Sequence, residues 1–288
     1  LLDTANGFSI IDDPIAGYIH VHPRPTPELM AKTYAETFYT VEKPDYIAST
    51  QRDQEWLQTV YADRYSTFTE HFEPWQGRLY TEQRRILDIG CGSGYFLLYG
   101  QDLGWNAVGI EPSQQACTHA RSLDVRVINA FFTPEVAERI SLKGRRCFDV
   151  VHMHEVLEHV PDPELFLRLA HSVLETCGII CITVPNDYSP FQTVLRETLD
   201  FKPWWVAPPQ HLNYFSFDSL TKMLEKAGFN VFLKESTFPI DIFLLMGDNY
   251  IGNDAVGKAS HQRRMQFELN ISKKHNAIKR SLYRTLAQ

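Results

Sequence analysis

From about Arg84 onward, short apolar runs alternate with stretches whose apolar residues recur at three- and four-residue spacing. Leu87-Asp88-Ile89, Asn106-Ala107-Val108-Gly109-Ile110, Val125-Arg126-Val127-Ile128, Cys147-Phe148-Asp149-Val150-Val151 and residues 176–184 read as five strands. A helix through Leu103 follows the first, and another over 163–175 precedes the fifth. Strands separated by helical segments of this length predict an α/β fold with a mostly parallel, doubly wound sheet, and ligands lie at the carboxyl ends of such strands. Upstream, Phe8-Ser9-Ile10-Ile11 and Gly17-Tyr18-Ile19-His20-Val21 are strand-like, and a helix is predicted from Thr26-Pro27 to Phe38. Trp56, Leu57, Val60, Tyr61, Tyr65 and Phe68 place a further helical pattern within 44–80. Tyr34, Phe38, Tyr39 and Tyr46 form an aromatic group expected to serve as core or as a lid over a ligand. After the fifth strand the pattern predicts helices at 191–199 and 217–227, then a closing antiparallel pair at 229–234 and 239–246. A basic helical segment follows Gly252.

The turn after the first of the five strands carries the candidate chemistry. Asp88-Ile89-Gly90-Cys91-Gly92-Ser93-Gly94 has glycines at alternate positions, which permit positive φ and let a ligand lie against bare backbone. The dinucleotide fingerprint is G-x-G-x-x-G, aimed at a pyrophosphate. Here the spacing is G-x-G-x-G behind a carboxylate, which repels phosphate and attracts an ammonium. The expected ligand is therefore nucleotide-like, with a positive amino group. Glu111 ends the second strand about 20 residues beyond the glycines, where an acid accepts hydrogen bonds from a ribose diol. Ser113 already supplies the helix cap, so Glu111 is not needed for capping. Asp88, Glu111, Phe131 and His154 all fall at strand ends.

Next to the fourth strand stands Met153-His154-Glu155-Val156-Leu157-Glu158-His159-Val160-Pro161. His154 and His159, at i and i+5, do not share a helical face, which excludes an H-E-x-x-H zinc site. Glu155, Glu158 and His159, at i, i+3 and i+4, would share one turn and suit a hard divalent cation such as Mg2+. A metal-free alternative makes His154 or His159 a general base, with the carboxylates orienting it or binding substrate. The bland alternative is that both glutamates cap and solubilise a short helix.

Asp-x-Gly-x-Gly-x-Gly resembles motif I of class I S-adenosylmethionine-dependent methyltransferases. Glu-x-x-Glu-His is similar to the segment that holds a metal in the ubiquinone-pathway O-methyltransferases and in small-RNA 3′-terminal methyltransferases. The resemblance covers roughly 84–246. It implies a Rossmann-like sheet with a closing antiparallel strand, an N-terminal cap or lid over 1–80, the cofactor domain over 81–246 and a helical tail over 247–288. It further implies S-adenosylmethionine held by Asp88, Gly90, Cys91, Gly92, Gly94, Phe96, Glu111, Pro112, Ala130, Phe131 and His154. A metal, where present, would be held by Glu155, Glu158, His159 and a distant His211. The expected catalytic residues are His154, Glu155 and His159. The expected reaction is methyl transfer to an oxygen of a small molecule or glycan, with a non-catalytic cofactor-binding module as the competing class.

Composition narrows the partners. A net charge of -7 argues against a nucleic-acid binder that relies on bulk positive field. Five cysteines without a C-x-x-C pair suit a reducing, cytoplasmic setting. No apolar run reaches the roughly 18 residues of a membrane span. The chain starts at Leu1, which reads as a trimmed or excised piece, with a further domain or a homo-oligomer as expected partners. Trp204 and Trp205 lie in a proline-stiffened loop that either buries against the core or walls a pocket, and Asn186 and Asp187 are placed to hydrogen-bond substrate hydroxyls.

Overall fold

A computed structural model describes residues 1–26, 29–30, 43–71, 83–141 and 146–287. The predicted helix running to Phe38, and Tyr34, Phe38 and Tyr39 with it, lie outside the described residues. The chain divides into two compact units, one of Leu1–His22, Pro185–Glu225 and Asn230–Gln288, the other of Pro23–Val184 and Lys226–Phe229.

The first unit opens with three antiparallel strands, β1 (Asp3–Ala5), β2 (Phe8–Asp13) and β3 (Tyr18–His22). Alternation buries Ile10 and Val21 on one side.

The second unit holds α1 (Tyr46–Arg52), α2 (Gln54–His71), and then β4 (Arg85–Ile89), α3 (Tyr95–Asp102), β5 (Asn106–Glu111), α4 (Gln114–Ser122), β6 (Arg126–Asn129), α5 (Pro134–Ile140), β7 (Phe148–His154), a single 3-10 turn (Leu157–His159), α6 (Pro163–Val173) and β8 (Leu174–Thr183). The five strands pair in the order β6-β5-β4-β7-β8, all parallel. The order reverses at β4: the chain steps outward to β5 and β6, then crosses back to β7 and β8. That is a doubly wound sheet with its switch point beside β4. Helix starts follow local chemistry, with Ser113, Thr133 and Asp162 accepting backbone N–H groups as caps and Pro134 and Pro163 opening their helices. On one face Tyr65 and Phe68 of α2 pack with Phe96, Leu97 and Trp105. Burial of such side chains is the main stabilising term, roughly 1.5–3 kcal/mol each.

The first unit resumes with α7 (Pro190–Leu199), β9 (Asn213–Tyr214), which pairs with β3, then α8 (Phe217–Lys226), α9 (Ile242–Leu245) and α10 (Asp254–Leu286). Ser189 and Gln192 cap α7 reciprocally. His275 has non-helical torsions and breaks α10 into two segments. Trp205 is buried, edge-on to Tyr188 at 5.5 Å and to Trp204 at 4.9 Å. No described helix is long and apolar enough to cross a membrane.

The closing antiparallel pair expected at 229–234 and 239–246 is not formed. Neither segment is a strand, and Ile242–Leu245 is a short helix. Phe238 stacks on Phe243 at 5.6 Å and meets Phe267 of α10 at 5.7 Å, so this apolar run is satisfied by helix packing rather than by a sheet. The antiparallel pairing of the fold is the separate β1-β2-β3-β9 sheet.

Candidate active site

Asp88 lies in β4, the central strand, 4% exposed, with its backbone opposite Gly109 of β5 and His152 of β7. Beyond it the chain turns through Gly90, Gly92 and Gly94 at φ 76, 51 and 84 degrees, all left-handed. Glycine is required here twice over. A Cβ on Gly90 would come within 2.5 Å of Val156 Cγ2, and one on Gly94 within 2.7 Å of Ala120 Cβ. The Gly90 and Cys91 N–H groups both donate to Ile110 O, at 2.8 and 3.2 Å, which ties the turn to the end of β5.

Glu111 completes that tie. It is buried, and its two carboxylate oxygens accept the Ser113 N–H at 2.9 Å and the Gly92 N–H at 3.0 Å. Burial pushes its pKa up to about 7 against the pull of those two N–H groups. Ser113 caps α4 by accepting the Ala116 N–H, as expected, leaving Glu111 to the turn. Each oxygen keeps a second acceptor site. Ala130 N–H donates to Glu111 O, bringing the end of β6 to the same rim, and Phe131 next to it is 40% exposed. Cys91 is buried beside the turn. The Phe96 ring is buried too, among Tyr61, Tyr65 and His152. Tyr46, at the start of α1, lies within electrostatic reach of the same rim: burial, then the charges of Glu111, Glu155 and Asp88, push its phenol up.

The fourth-strand segment differs from its expected form. Glu155, Glu158 and His159 do not share one α-helical turn. Glu155 has a left-handed φ of 54 degrees, is exposed, and donates its N–H to Thr183 O at 2.8 Å. Only Leu157–His159 is helical, as one 3-10 turn, because Val160 is held extended ahead of Pro161. Glu158 is buried, and its Oε1 lies 3.6 Å from His159 Nε2. His154 ends β7 and is exposed.

Two residues that sequence reasoning missed stand at the centre of the site. His152, two positions before His154 and so on the same strand face, is 3% exposed and places Nδ1 2.7 Å from Asp88 Oδ1. Arg64 of α2 places Nη1 3.1 Å from His152 Nε2 and 2.7 Å from Thr183 Oγ1. The two-residue spacing of the histidines was a signal for His152. For Arg64 the signal was its helical spacing, which sets it on the face of Tyr61, Tyr65 and Phe68.

A parallel sheet with a carboxylate-flanked glycine turn at its switch point has the chemistry to receive a nucleoside bearing an ammonium. A family model described as a methyltransferase domain matches residues 53–234, more than half of the chain. The chain belongs to this methyltransferase family, in its class I S-adenosylmethionine-dependent group. The ubiquinone biosynthesis O-methyltransferase of Caulobacter sp. (strain K31) is 31% identical over 139 residues, 47% of this chain and 54% of that protein. That of Caulobacter vibrioides is 33% identical over 132 residues, 44% of this chain and 50% of that protein. The chain thus spans about half the length of the curated relatives it matches. Among solved structures, an S-adenosylmethionine-dependent methyltransferase from Archaeoglobus fulgidus is similar over 67% of this chain and 80% of that one, at 21% identity and a TM-score of 0.47.

Proposed function

We propose that the protein transfers a methyl group from S-adenosylmethionine to a hydroxyl oxygen of a small molecule. The observation that carries the reading is the buried Asp88 behind a left-handed glycine turn whose far side is anchored by Glu111. These groups fit the cofactor: a carboxylate for its ammonium, bare backbone for its amino-acid chain, and acceptors for its ribose. When bound, the cofactor supplies an electrophilic sulfonium methyl.

Methyl transfer by in-line displacement asks the protein mainly for alignment and a proton acceptor. Asp88 and Glu111 fix the two ends of the cofactor, and Phe131 offers an exposed ring beside them for the adenine. For the proton, His154 at the end of β7 and His159 beside the buried Glu158 carboxylate are the candidate bases. Oxygen is favoured as acceptor because the similar Caulobacter proteins are ubiquinone biosynthesis O-methyltransferases. Of the Mg2+ ligands that the motif implies, Glu158 and His159 adjoin one another, whereas Glu155 leaves their turn at a left-handed φ. The buried Glu158 and its imidazole neighbour suit a divalent cation, which would make a bound hydroxyl easier to deprotonate.

Incubation with methyl-labelled S-adenosylmethionine and a panel of catechols, other phenols and glycans tests the reading by mass gain on an oxygen. Cofactor binding without transfer to any of them would leave a binding module instead. Calorimetric titration with Mg2+, on the intact protein and on Glu158→Ala, tests the metal: heat that disappears with the carboxylate supports it, and no binding by the intact protein retires it.

A further inference from the structure

Arg64, His152 and Asp88 form a buried chain of donors and acceptors with one consistent proton arrangement. A guanidinium only donates. Arg64 Nη1, 3.1 Å from His152 Nε2, therefore requires that nitrogen to present its lone pair, and the single imidazole proton is left on Nδ1. That proton points at Asp88 Oδ1, 2.7 Å away. Phe96 stacks on the His152 ring at 4.1 Å and fixes its plane, and Thr183 Oγ1 and Cys181 Sγ hold the guanidinium at 2.7 and 3.6 Å. Burial of the imidazole followed by the Arg64 charge keeps His152 neutral, in agreement with this geometry.

We propose that Arg64 and His152 are positioning residues for cofactor capture: Arg64 locks His152 as the Nδ1–H tautomer, and His152 anchors one oxygen of Asp88 so that the other meets the cofactor ammonium. The inference rests on the S-adenosylmethionine reading and extends it to a helix outside the sheet. Without Arg64, His152 is free to take a proton on Nε2 or to change tautomer, and the Asp88 carboxylate loses its orientation. The effect falls on ligands that carry the amino-acid ammonium and spares those that lack it.

The test pairs S-adenosylhomocysteine, which has the ammonium, with 5′-methylthioadenosine, which does not, in calorimetric titrations of wild type, His152→Phe, Arg64→Leu and Arg64→Lys. His152→Phe keeps the ring over Phe96 while removing the donor. His152→Phe and Arg64→Leu are expected to weaken S-adenosylhomocysteine about tenfold or more and to leave methylthioadenosine within about twofold, with Arg64→Lys recovering most of the loss. Equal weakening of both ligands, or of neither, overturns the proposal. Nitrogen-15 spectra of the ring, assigned by the resonance lost in His152→Phe, read the tautomer without any ligand. A bare Nε2 and a protonated Nδ1 are expected at neutral pH, and a protonated Nε2 overturns the proposal independently. Wild-type protein that binds neither compound would sink the cofactor reading itself, an outcome that the ligand-free spectrum keeps distinct from failure of the Arg64–His152 link.

Discussion

Glu111 offers the sharpest test of how the turn is held. Its carboxylate is the acceptor for two buried backbone donors, Gly92 N–H at 3.0 Å and Ser113 N–H at 2.9 Å, and it is 4% exposed. Truncation to Ala leaves both donors without that acceptor. A hydrogen bond to a charged group contributes about 1.5–3 kcal/mol, and an orphaned buried donor costs about 1–3 kcal/mol. Two such donors put the loss at roughly 2–6 kcal/mol, the low end applying if water enters the space. Glu111→Gln keeps one acceptor oxygen but turns its amide donor toward the second N–H, so it is expected to fall between wild type and Ala. The measurement is urea denaturation followed by near-UV circular dichroism at pH 8, where the carboxylate is ionised, together with S-adenosylhomocysteine affinity. The expected order of stability is wild type, Gln, Ala, with cofactor affinity falling in step because ribose acceptors are lost with the turn. An Ala variant within about 0.5 kcal/mol of wild type would refute the reasoning. It would mean that the turn is held by the Gly90 and Cys91 bonds to Ile110 alone.

Other predictions concern pH and the glycines. In the ligand-free fold burial raises Asp88 to about 8 and Glu111 and Asp187 to about 7, so each is protonated over a range where the unfolded chain is ionised, and a bound ammonium would favour the ionised Asp88 that the cofactor reading requires. Their contribution to stability is complete below the ordinary carboxylate range and is lost as pH rises through 7 to 8. His152 and His154 are pushed down instead, and they oppose this trend only below their unfolded value of 6.5. Between about pH 6.5 and 8, ligand-free protein should therefore lose stability, on the order of 1 kcal/mol or more per pH unit, by urea midpoints across that range; a flat or rising profile contradicts it. Gly94→Ala adds a Cβ 2.7 Å from Ala120 at a φ of 84 degrees, whereas Gly104→Ala, at 86 degrees, meets nothing within 4 Å. Gly104→Ala should cost about 1–2 kcal/mol from backbone strain alone, and Gly94→Ala about 1–3 kcal/mol more from overpacking, so equal costs in denaturation would show that the turn is not packed against α4.

The parts of the fold that were legible in the sequence are those specified within a few residues. The Asp88 strand, its glycine turn, the acid at the end of β5 and the capped helices after them each carry their own pattern and lie where that pattern put them. The run at 239–246 was not legible, because a short apolar stretch reads the same as strand or helix until its packing partner is known. The run packs through Phe238, which stacks on Phe243 and meets Phe267 in a helix that the sequence marked only by charge. Glu155 and Glu158 show the same limit at shorter range. Their spacing is helical, but Pro161 ends the helix before it has formed one full α-turn, and the spacing then carries no common face.

Arg64 marks the outer limit of such reading. Tyr61, Arg64, Tyr65 and Phe68 of α2 stand at i, i+3, i+4 and i+7, so the spacing sets the arginine on the aromatic face without saying which partner that face meets. The structure brings it to His152, 88 positions away, because Tyr65 and Phe68 pack on the β4 side of the sheet and set the rotation of the helix. The aromatic pattern that was legible is thus the cause of the contact that was not. It follows that perturbing α2 through Tyr65, whose hydroxyl donates to Phe96 O at 3.2 Å, acts on the cofactor carboxylate along two routes: Phe96 that stacks on His152, and Arg64 that bonds to it.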